Sequence, residues 1–127
     1  MSEHYGKWDN FTDKELACSC CGTFNESEQF SETMNLVQEL RTWYGKPVTV
    51  TSAYRCKDHI IEAAKNTVGE HTKGAIDLQV PTEDCHRFVK KAFELGFTGI
   101  GWKLVGDHRG RFIHLDRRKS DPRIWSY

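Results

Sequence analysis

The pattern that most constrains this chain is a pair of short segments that place histidine and aspartate among apolar, strand-forming residues. The first is residues 70–77 (EHTKGAID) and the second is residues 112–116 (FIHLD). Side chains alternate between the two faces of a strand, so Asp77 lies on the face opposite Ile76 and Leu78. Each segment therefore predicts a strand with one apolar face and one polar face.

Two histidines and one aspartate are a sufficient set of protein ligands for a zinc ion that keeps its fourth position open to water. His71, Asp77 and His114 form such a set, and His71 precedes a tight turn at Gly74 that leads into the strand of Asp77. The alternative is that each of these residues is a solvated polar side chain. The residues alone thus indicate a candidate catalytic zinc site and leave the alternative open.

The length and the absence of a repeat or linker favour one domain, residues 1–127, that is large enough to form its own hydrophobic core. Lys and Arg together number 18 and so do Asp and Glu, so no overall charge favours nucleic acid. No apolar run is long enough to cross a bilayer, and the first residues lack the features of a secretory signal. We expect a monomer made in the cytoplasm, with no nucleic-acid partner and no membrane insertion.

Helix and strand signals together predict an α+β domain, in which helices pack beside a small, mostly antiparallel sheet. In the first half of the chain the predicted elements are a capping box at residues 12–15, a helix capped by Ser31 and ending at Tyr44, a strand over 47–52 and a short helix over 58–65. A strand over 75–80, a helix from its cap at Thr82 to Gly96, and a hairpin of strands 97–104 and 111–116 follow. The residues of the last helix that are predicted to pack in the core are Phe88, Val89, Ala92, Phe93 and Leu95. A short cysteine-containing segment, about residues 11–30, is expected to pack on this domain.

The cysteines leave three interpretations open. They are Cys18, Cys20, Cys21, Cys56 and Cys85, an odd number that argues against a complete disulfide framework. The first three lack the spacing of a zinc knuckle, so buried thiols are the plain interpretation, and a second metal site or one disulfide with Cys56 is an alternative. A thiol-dependent enzyme that pairs Cys56 or Cys85 with His59 or His86 is the third.

Four segments occur in the order of a known family pattern. They are residues 50–56 (VTSAYRC), 71–77 (HTKGAID), 96–101 (GFTGIG) and 112–116 (FIHLD). In this order they resemble the zinc D-Ala-D-Ala carboxypeptidases and endopeptidases of peptidase family M15, which cut peptidoglycan stem peptides. The resemblance runs from about Phe11 to Trp125 and implies the fold that these enzymes share with the hedgehog N-terminal signalling domain.

The resemblance also implies roles for individual residues. The zinc ligands would be His71, Asp77 and His114. Arg55 would bind a substrate carboxylate, which suits a planar and permanently charged guanidinium, and Ser52 and Tyr54 would line the same pocket. The implied function is a zinc-dependent peptidase, either a carboxypeptidase or an endopeptidase, that acts on peptidoglycan by metal-activated water without a covalent intermediate.

Two departures from the family pattern concern the site. The family usually places the first histidine and the aspartate seven positions apart, whereas His71 and Asp77 are six apart. Many members carry a glutamate three residues before the last histidine as general base, and Arg111 stands there, which cannot accept a proton. The candidate bases are Asp116 and His108, with Asp107 as a further one; Asp116 has the alternative role of orienting a ligand imidazole.

The missing glutamate favours a second function, a catalytically inactive zinc-containing binding module of the same fold. A catalytic domain without a signal peptide or wall-binding module is reminiscent of a phage endolysin, which reaches the bacterial cell wall after the membrane is permeabilised. The balanced charge gives no attraction to an anionic wall, which weakens the endolysin interpretation. We expect an enzyme that acts at the cell wall after its release.

Overall fold

The computed structural model describes residues 7–18, 22–25, 27–54 and 73–127, and the structural statements below refer to these ranges. Within them, helices and strands combine into an α+β arrangement, which confirms the predicted class. The elements are α1 (Asp13–Leu16), α2 (Glu28–Tyr44), β1 (Thr49–Ser52), β2 (Ala75–Gln79), α3 (Thr82–Leu95), β3 (Gly99–Lys103), a 3-10 helix (His108–Gly110), β4 (Phe112–Asp116) and β5 (Arg123–Ser126). Among the described helices, none is long and apolar enough to span a bilayer.

The five strands form one sheet in the order β1-β2-β4-β3-β5. Antiparallel pairs join β1 to β2, β2 to β4 and β4 to β3, whereas β5 runs parallel to β3. The sheet is therefore mixed, which corrects the expectation of a mostly antiparallel sheet. The physical reason is that the chain turns back after β4 and adds a last strand to the outer edge of β3, beyond the last predicted strand.

The hydrophobic core lies between the two long helices and one face of the sheet. Helix α2 contributes Phe30, Met34, Val37 and Leu40, helix α3 contributes Phe88 and Ala92, and the sheet contributes Ile76, Leu78, Ile100, Ile113 and Leu115. Phe11 and Leu16 belong to the same cluster. Because side chains alternate along each strand, Asp77, His114 and Asp116 lie on the face opposite this core.

Two helix starts differ from the sequence predictions. Helix α2 begins at Glu28, because Ser27 is its N-cap and the Ser27 hydroxyl accepts a hydrogen bond from the backbone N–H of Phe30 at 3.2 Å. Helix α3 has Pro81 at its N-cap position and no side-chain cap, so Thr82 is its first residue rather than its cap. Proline suits the start of a helix because it has no N–H to leave unsatisfied.

Several further predictions are settled by the described residues. The capping box at Thr12 and Glu15 is present, and Gly96 ends α3 in the left-handed conformation as predicted. The prediction that Phe93 packs in the core is wrong, because its side chain is 48% exposed on the outer side of α3. The short helix predicted over 58–65 lies outside the described residues.

The start of β2 is anchored on the N-cap and the second turn of α2. The Ser27 hydroxyl donates to the Lys73 carbonyl at 2.7 Å, and the Thr33 hydroxyl donates to the Gly74 carbonyl at 2.8 Å. A Cβ atom at Gly74 would lie 2.7 Å from the backbone nitrogen of Phe30, closer than real Cβ contacts come. Glycine is therefore required here, and the close contact fixes where β2 begins relative to α2.

Candidate metal centre

The candidate ligands Asp77 and His114 face each other on adjacent strands, because the register of β2 and β4 pairs them directly. The same row continues to Ser52 on β1 at one side, and to Gly101 on β3 and Trp125 on β5 at the other. Residues directly opposite each other in a sheet share a face. These five residues, which we call the ligand row, therefore lie on one face of the sheet.

Both nitrogens of the His114 ring contact carboxylates. Nδ1 lies 3.0 Å from Oδ1 of Asp77, and Nε2 lies 2.7 Å from Oδ2 of Asp116. The exposed fractions are 3% for His114, 5% for Asp77 and 0% for Asp116. The alternative that Asp77 and His114 are solvated polar residues therefore does not hold.

Asp116 is engaged on both carboxylate oxygens. Oδ1 accepts from the backbone N–H and from Nε of Arg118 at 2.9 and 3.0 Å, and Oδ2 accepts from Nη2 of Arg118 at 2.7 Å. Gly99 lies opposite Asp116 on β3, and a Cβ atom there would overlap the carboxylate and Nε of Arg118. The absent side chain of Gly99 thus makes room for this ion pair.

The charges of the site shift two pKa values. Burial disfavours the charged form of His114, but its hydrogen bond to Asp116, its close contact with Asp77 and the negative charges of both carboxylates outweigh burial and raise its pKa. Burial would raise the pKa of Asp116, but its hydrogen bonds with His114 and Arg118 hold that pKa well below its usual range. Asp116 is therefore ionised and can polarise the imidazole.

The pair of Asp77 and His114 fits a zinc ion as two of its ligands. Two ligand atoms on a tetrahedral zinc lie roughly 3.3 Å apart, given zinc–ligand bonds of about 2.0 to 2.1 Å. The 3.0 Å between Nδ1 and Oδ1 is close to that separation. Metal-binding histidines commonly donate the N–H of their other ring nitrogen to a carboxylate. Asp116 is in position to accept such a hydrogen bond from Nε2 of His114.

The predicted third ligand, His71, lies outside the described residues. Within the described ranges, no group of three His, Cys, Asp or Glu side chains is arranged to hold a metal ion. The described part of the chain thus supplies two candidate ligands and the carboxylate that orients one of them. The completeness of the ligand set stays a prediction.

Two of the predicted substrate-binding residues lie together at the end of β1. Ser52 and Tyr54 both line a cleft of about 750 Å³ between β1 and the N-terminal segment, whose other walls include Lys14, Cys18 and Phe24. Ser52 is also the member of the ligand row next to Asp77, so one residue of the cleft wall lies beside the candidate metal centre on the adjacent strand. Arg55, the predicted carboxylate-binding residue, lies outside the described residues.

His108, a candidate general base, lies in the exposed 3-10 helix between β3 and β4. The Gln79 side chain donates to the His108 carbonyl at 2.6 Å. Gln79 follows Asp77 by two positions on β2 and so shares its face, roughly 7 Å further along the strand. The backbone of His108 therefore lies beside the polar face of β2, past Asp77.

Arg111 stands where the family pattern that the sequence resembles would place a glutamate, and it stabilises the turn before β4. Its Nη1 donates to the Thr82 hydroxyl at 2.8 Å, and its Nε donates to the Gly106 carbonyl at 3.0 Å. Both contacts join the turn to the chain around it. This arginine therefore has a structural role in the described residues.

Cys85 is a buried free thiol at the start of α3. Burial raises its pKa, with smaller contributions from the charges of Asp84 and Glu83, so less of the reactive thiolate is present. His86, its proposed partner, is exposed. Cys18 is also buried, whereas Cys20, Cys21, Cys56 and His59 lie outside the described residues.

Two residues near the site were not predicted from the sequence, Arg118 and Trp125. Both follow the last predicted strand, and Trp125 belongs to the unpredicted strand β5. A signal was nevertheless present, because Gly99 and Gly101 alternate on β3. Glycine inside a strand often marks a close approach of other groups, as it does at both positions here.

Comparison with known protein families matches residues 9–116 to the family model of peptidase M15. Comparisons with curated proteins and with solved structures give no match. The matched stretch covers most of the chain and contains Asp77, His114 and Asp116. It ends before Arg118 and the strand β5.

Proposed function

Because the chain belongs to the peptidase M15 family, we propose that it is a zinc-dependent peptidase that hydrolyses peptidoglycan stem peptides, as a carboxypeptidase or an endopeptidase. The observation that carries the proposal is the buried pair of Asp77 and His114, with Asp116 on the other nitrogen of the imidazole. This arrangement presents an oxygen and a nitrogen ligand side by side, which zinc accepts.

In this proposal Asp77 and His114, together with His71, hold the zinc ion. The chemistry that zinc supplies when bound in such a site is polarisation of the scissile carbonyl and activation of water. Asp116 accepts a hydrogen bond from Nε2 of His114, so Nδ1, which faces Asp77, would be the nitrogen that gives up its proton to bind zinc. Arg118 neutralises Asp116, so the buried carboxylate is paired with a cation.

The substrate would lie in the cleft beside β1. Ser52 and Tyr54 line this cleft, and Ser52 stands next to Asp77 in the ligand row. A peptide in the cleft would thus contact Ser52, which lies beside Asp77 on the adjacent strand. Arg55 follows Tyr54 directly, and we propose that it binds the substrate carboxylate.

The contacts of Asp116 favour the orienting role over the role of general base. Its oxygens already accept hydrogen bonds from His114 and Arg118, and its low pKa makes it a poor proton acceptor. His108 is the other candidate base. It lies in an exposed turn whose backbone contacts Gln79, on the same strand face as Asp77.

The finer expectations belong to the same proposal. They are a hedgehog-like fold, a monomeric state, a peptidoglycan peptide as partner, and endolysin-like action at the bacterial cell wall. The balanced charge of the chain supports the absence of a nucleic-acid partner. An anionic wall would then be bound through the cleft rather than through an overall positive charge.

The alternative function is a zinc-containing binding module without catalysis. The observation that favours it is Arg111, which stands in place of the glutamate and donates to Thr82 and Gly106. A guanidinium in these contacts cannot take a proton from water. In this alternative the candidate metal centre serves recognition.

The test is mass spectrometry of purified peptidoglycan fragments incubated with the protein, with a chelator, and with zinc added back. We expect a product that disappears with the chelator and returns with zinc, and its mass identifies the bond. Intact fragments in the presence of stoichiometric zinc would instead support the binding module. Cleavage that resists chelators and is stopped by thiol alkylation would support a thiol enzyme.

A further inference from the structure

The last strand of the sheet places an aromatic side chain on the candidate metal centre. Strand β5 pairs with β3, and its Trp125 is the outermost member of the ligand row. The family match ends at residue 116, so Trp125 lies outside the matched stretch. The family match therefore assigns no role to Trp125.

The indole of Trp125 lies against the imidazole of His114. The two ring centroids are 4.9 Å apart and the planes are inclined by 58°. Gly101 lies between the two residues in the ligand row, and a Cβ atom there would come within 2.8 Å of Cζ2 of the indole. The contact between the rings thus depends on the absence of a side chain at Gly101.

The indole is itself held by the charged network of the site. The guanidinium carbon of Arg118 lies 4.8 Å from the centroid of the Trp125 ring, a cation–π contact. The same guanidinium binds Asp116, and Asp116 binds Nε2 of His114. Trp125, Arg118, Asp116 and His114 therefore form a closed cycle of contacts that includes the imidazole.

Two different contacts thus constrain the orientation of His114. The hydrogen bond to Asp116 fixes one edge of the ring, but a single hydrogen bond still allows the ring to tilt about it. Packing against Trp125 restricts this tilt, and His114 is only 3% exposed. We propose that Trp125 is a positioning residue that keeps Nδ1 of His114 directed toward Asp77 for zinc binding. This inference rests on the proposed function, because it takes His114 as a zinc ligand.

The first test compares zinc affinities by competition with a chromophoric chelator. Trp125→Ala should weaken zinc binding about tenfold, in the range found for residues that orient metal ligands. Trp125→Phe keeps an aromatic ring and should restore most of the affinity. The matched control is Ile124→Ala, which changes the neighbouring residue on β5, itself 58% exposed. Wild-type affinity in Trp125→Ala, or an equal loss in Ile124→Ala, would overturn the proposal.

The second test uses the metal-free protein and needs no variant to fold. In nuclear magnetic resonance spectra of the wild-type protein, the ring protons of His114 should show Overhauser contacts with the indole of Trp125. Their absence would overturn the proposal.

If the protein binds zinc but cleaves no peptidoglycan, the peptidase function fails, while the zinc affinities of the Trp125 variants still decide the role of Trp125. If it binds no zinc, both fail.

Discussion

At the scale of single residues, burial decides what the histidines and carboxylates of this chain can do. His114 and Asp116 come two positions apart in one strand, and the sequence predicted that they share a face. Both are buried, and the pairing of Asp116 with Arg118 depends on Gly99 across the sheet. These contacts are tertiary, so the strand pattern could not show them.

The orienting role of Asp116 gives the first prediction. Asp116→Asn keeps the size of the side chain but removes the negative charge that polarises His114. Zinc affinity should fall roughly 10- to 100-fold, as for other carboxylates behind a ligand histidine. Asp121→Asn, at an exposed aspartate, is the control for loss of charge. If turnover is lost while zinc affinity is unchanged, Asp116 is the general base after all.

His108 gives the complementary prediction, because it is the remaining candidate base. His108→Ala should lower kcat by roughly 100-fold or more, the range of general acid–base catalysis, and leave zinc affinity unchanged. Steady-state kinetics and zinc titration on the same preparation measure both quantities. A variant with wild-type kcat would remove His108 from the mechanism.

At the scale of secondary-structure elements, local signals predicted the strands of the site well, because capping, turn and alternation patterns are properties of short segments. The hairpin of β3 and β4 and the strand β2 are in the structure as expected. Two features were missed. Ser27 and Ser31 both precede helical sequence, and the tertiary contact of Ser27 with Lys73, which helps to place the cap there, is not visible in the sequence. The short strand β5 pairs with β3, which lies more than 20 residues earlier in the chain, and a local sequence pattern does not show such a pairing.

These two serines provide a matched pair of variants. Ser27→Ala removes the cap of α2 and the hydrogen bond to Lys73, so the free energy of unfolding should fall by about 1 to 2 kcal/mol. Ser31→Ala lies within α2, where alanine is favourable, and should change it by roughly 0.5 kcal/mol or less. Urea denaturation measures both. A larger loss in Ser31→Ala would contradict the assignment of the cap.

At the scale of the whole molecule, a hydrogen bond joins the C-terminal end of α2 to the first turn of α3. It lies at the opposite end of α2 from the contacts that hold the start of β2. The Tyr44 hydroxyl, at the end of α2, donates to Asp84 in the first turn of α3 at 2.5 Å. This hydrogen bond, with the charges of Lys46 and Arg87, lowers the pKa of Asp84. Burial raises the pKa of Tyr44 to about 12, so its hydroxyl stays protonated at neutral pH.

A pH dependence of stability follows from this contact. Because the pKa of Asp84 is lower in the folded chain, the unfolded chain binds the proton more readily, and stability is lost as the pH falls through the folded value. Tyr44→Phe removes the donor, so the acid loss of stability should be smaller than in wild type. Denaturation of both proteins across acid pH measures the difference. Parallel curves would contradict the role given to this hydrogen bond.

The most direct test of the candidate metal centre is the zinc content of the purified protein after dialysis, measured by inductively coupled plasma mass spectrometry. We expect about one zinc per wild-type chain, with loss of zinc in Asp77→Ala and His114→Ala because each removes a ligand. His86→Ala, at an exposed histidine, should keep its zinc. A wild-type chain that holds no zinc, or a His114→Ala variant that holds it fully, would contradict the candidate metal centre and the peptidase function built on it.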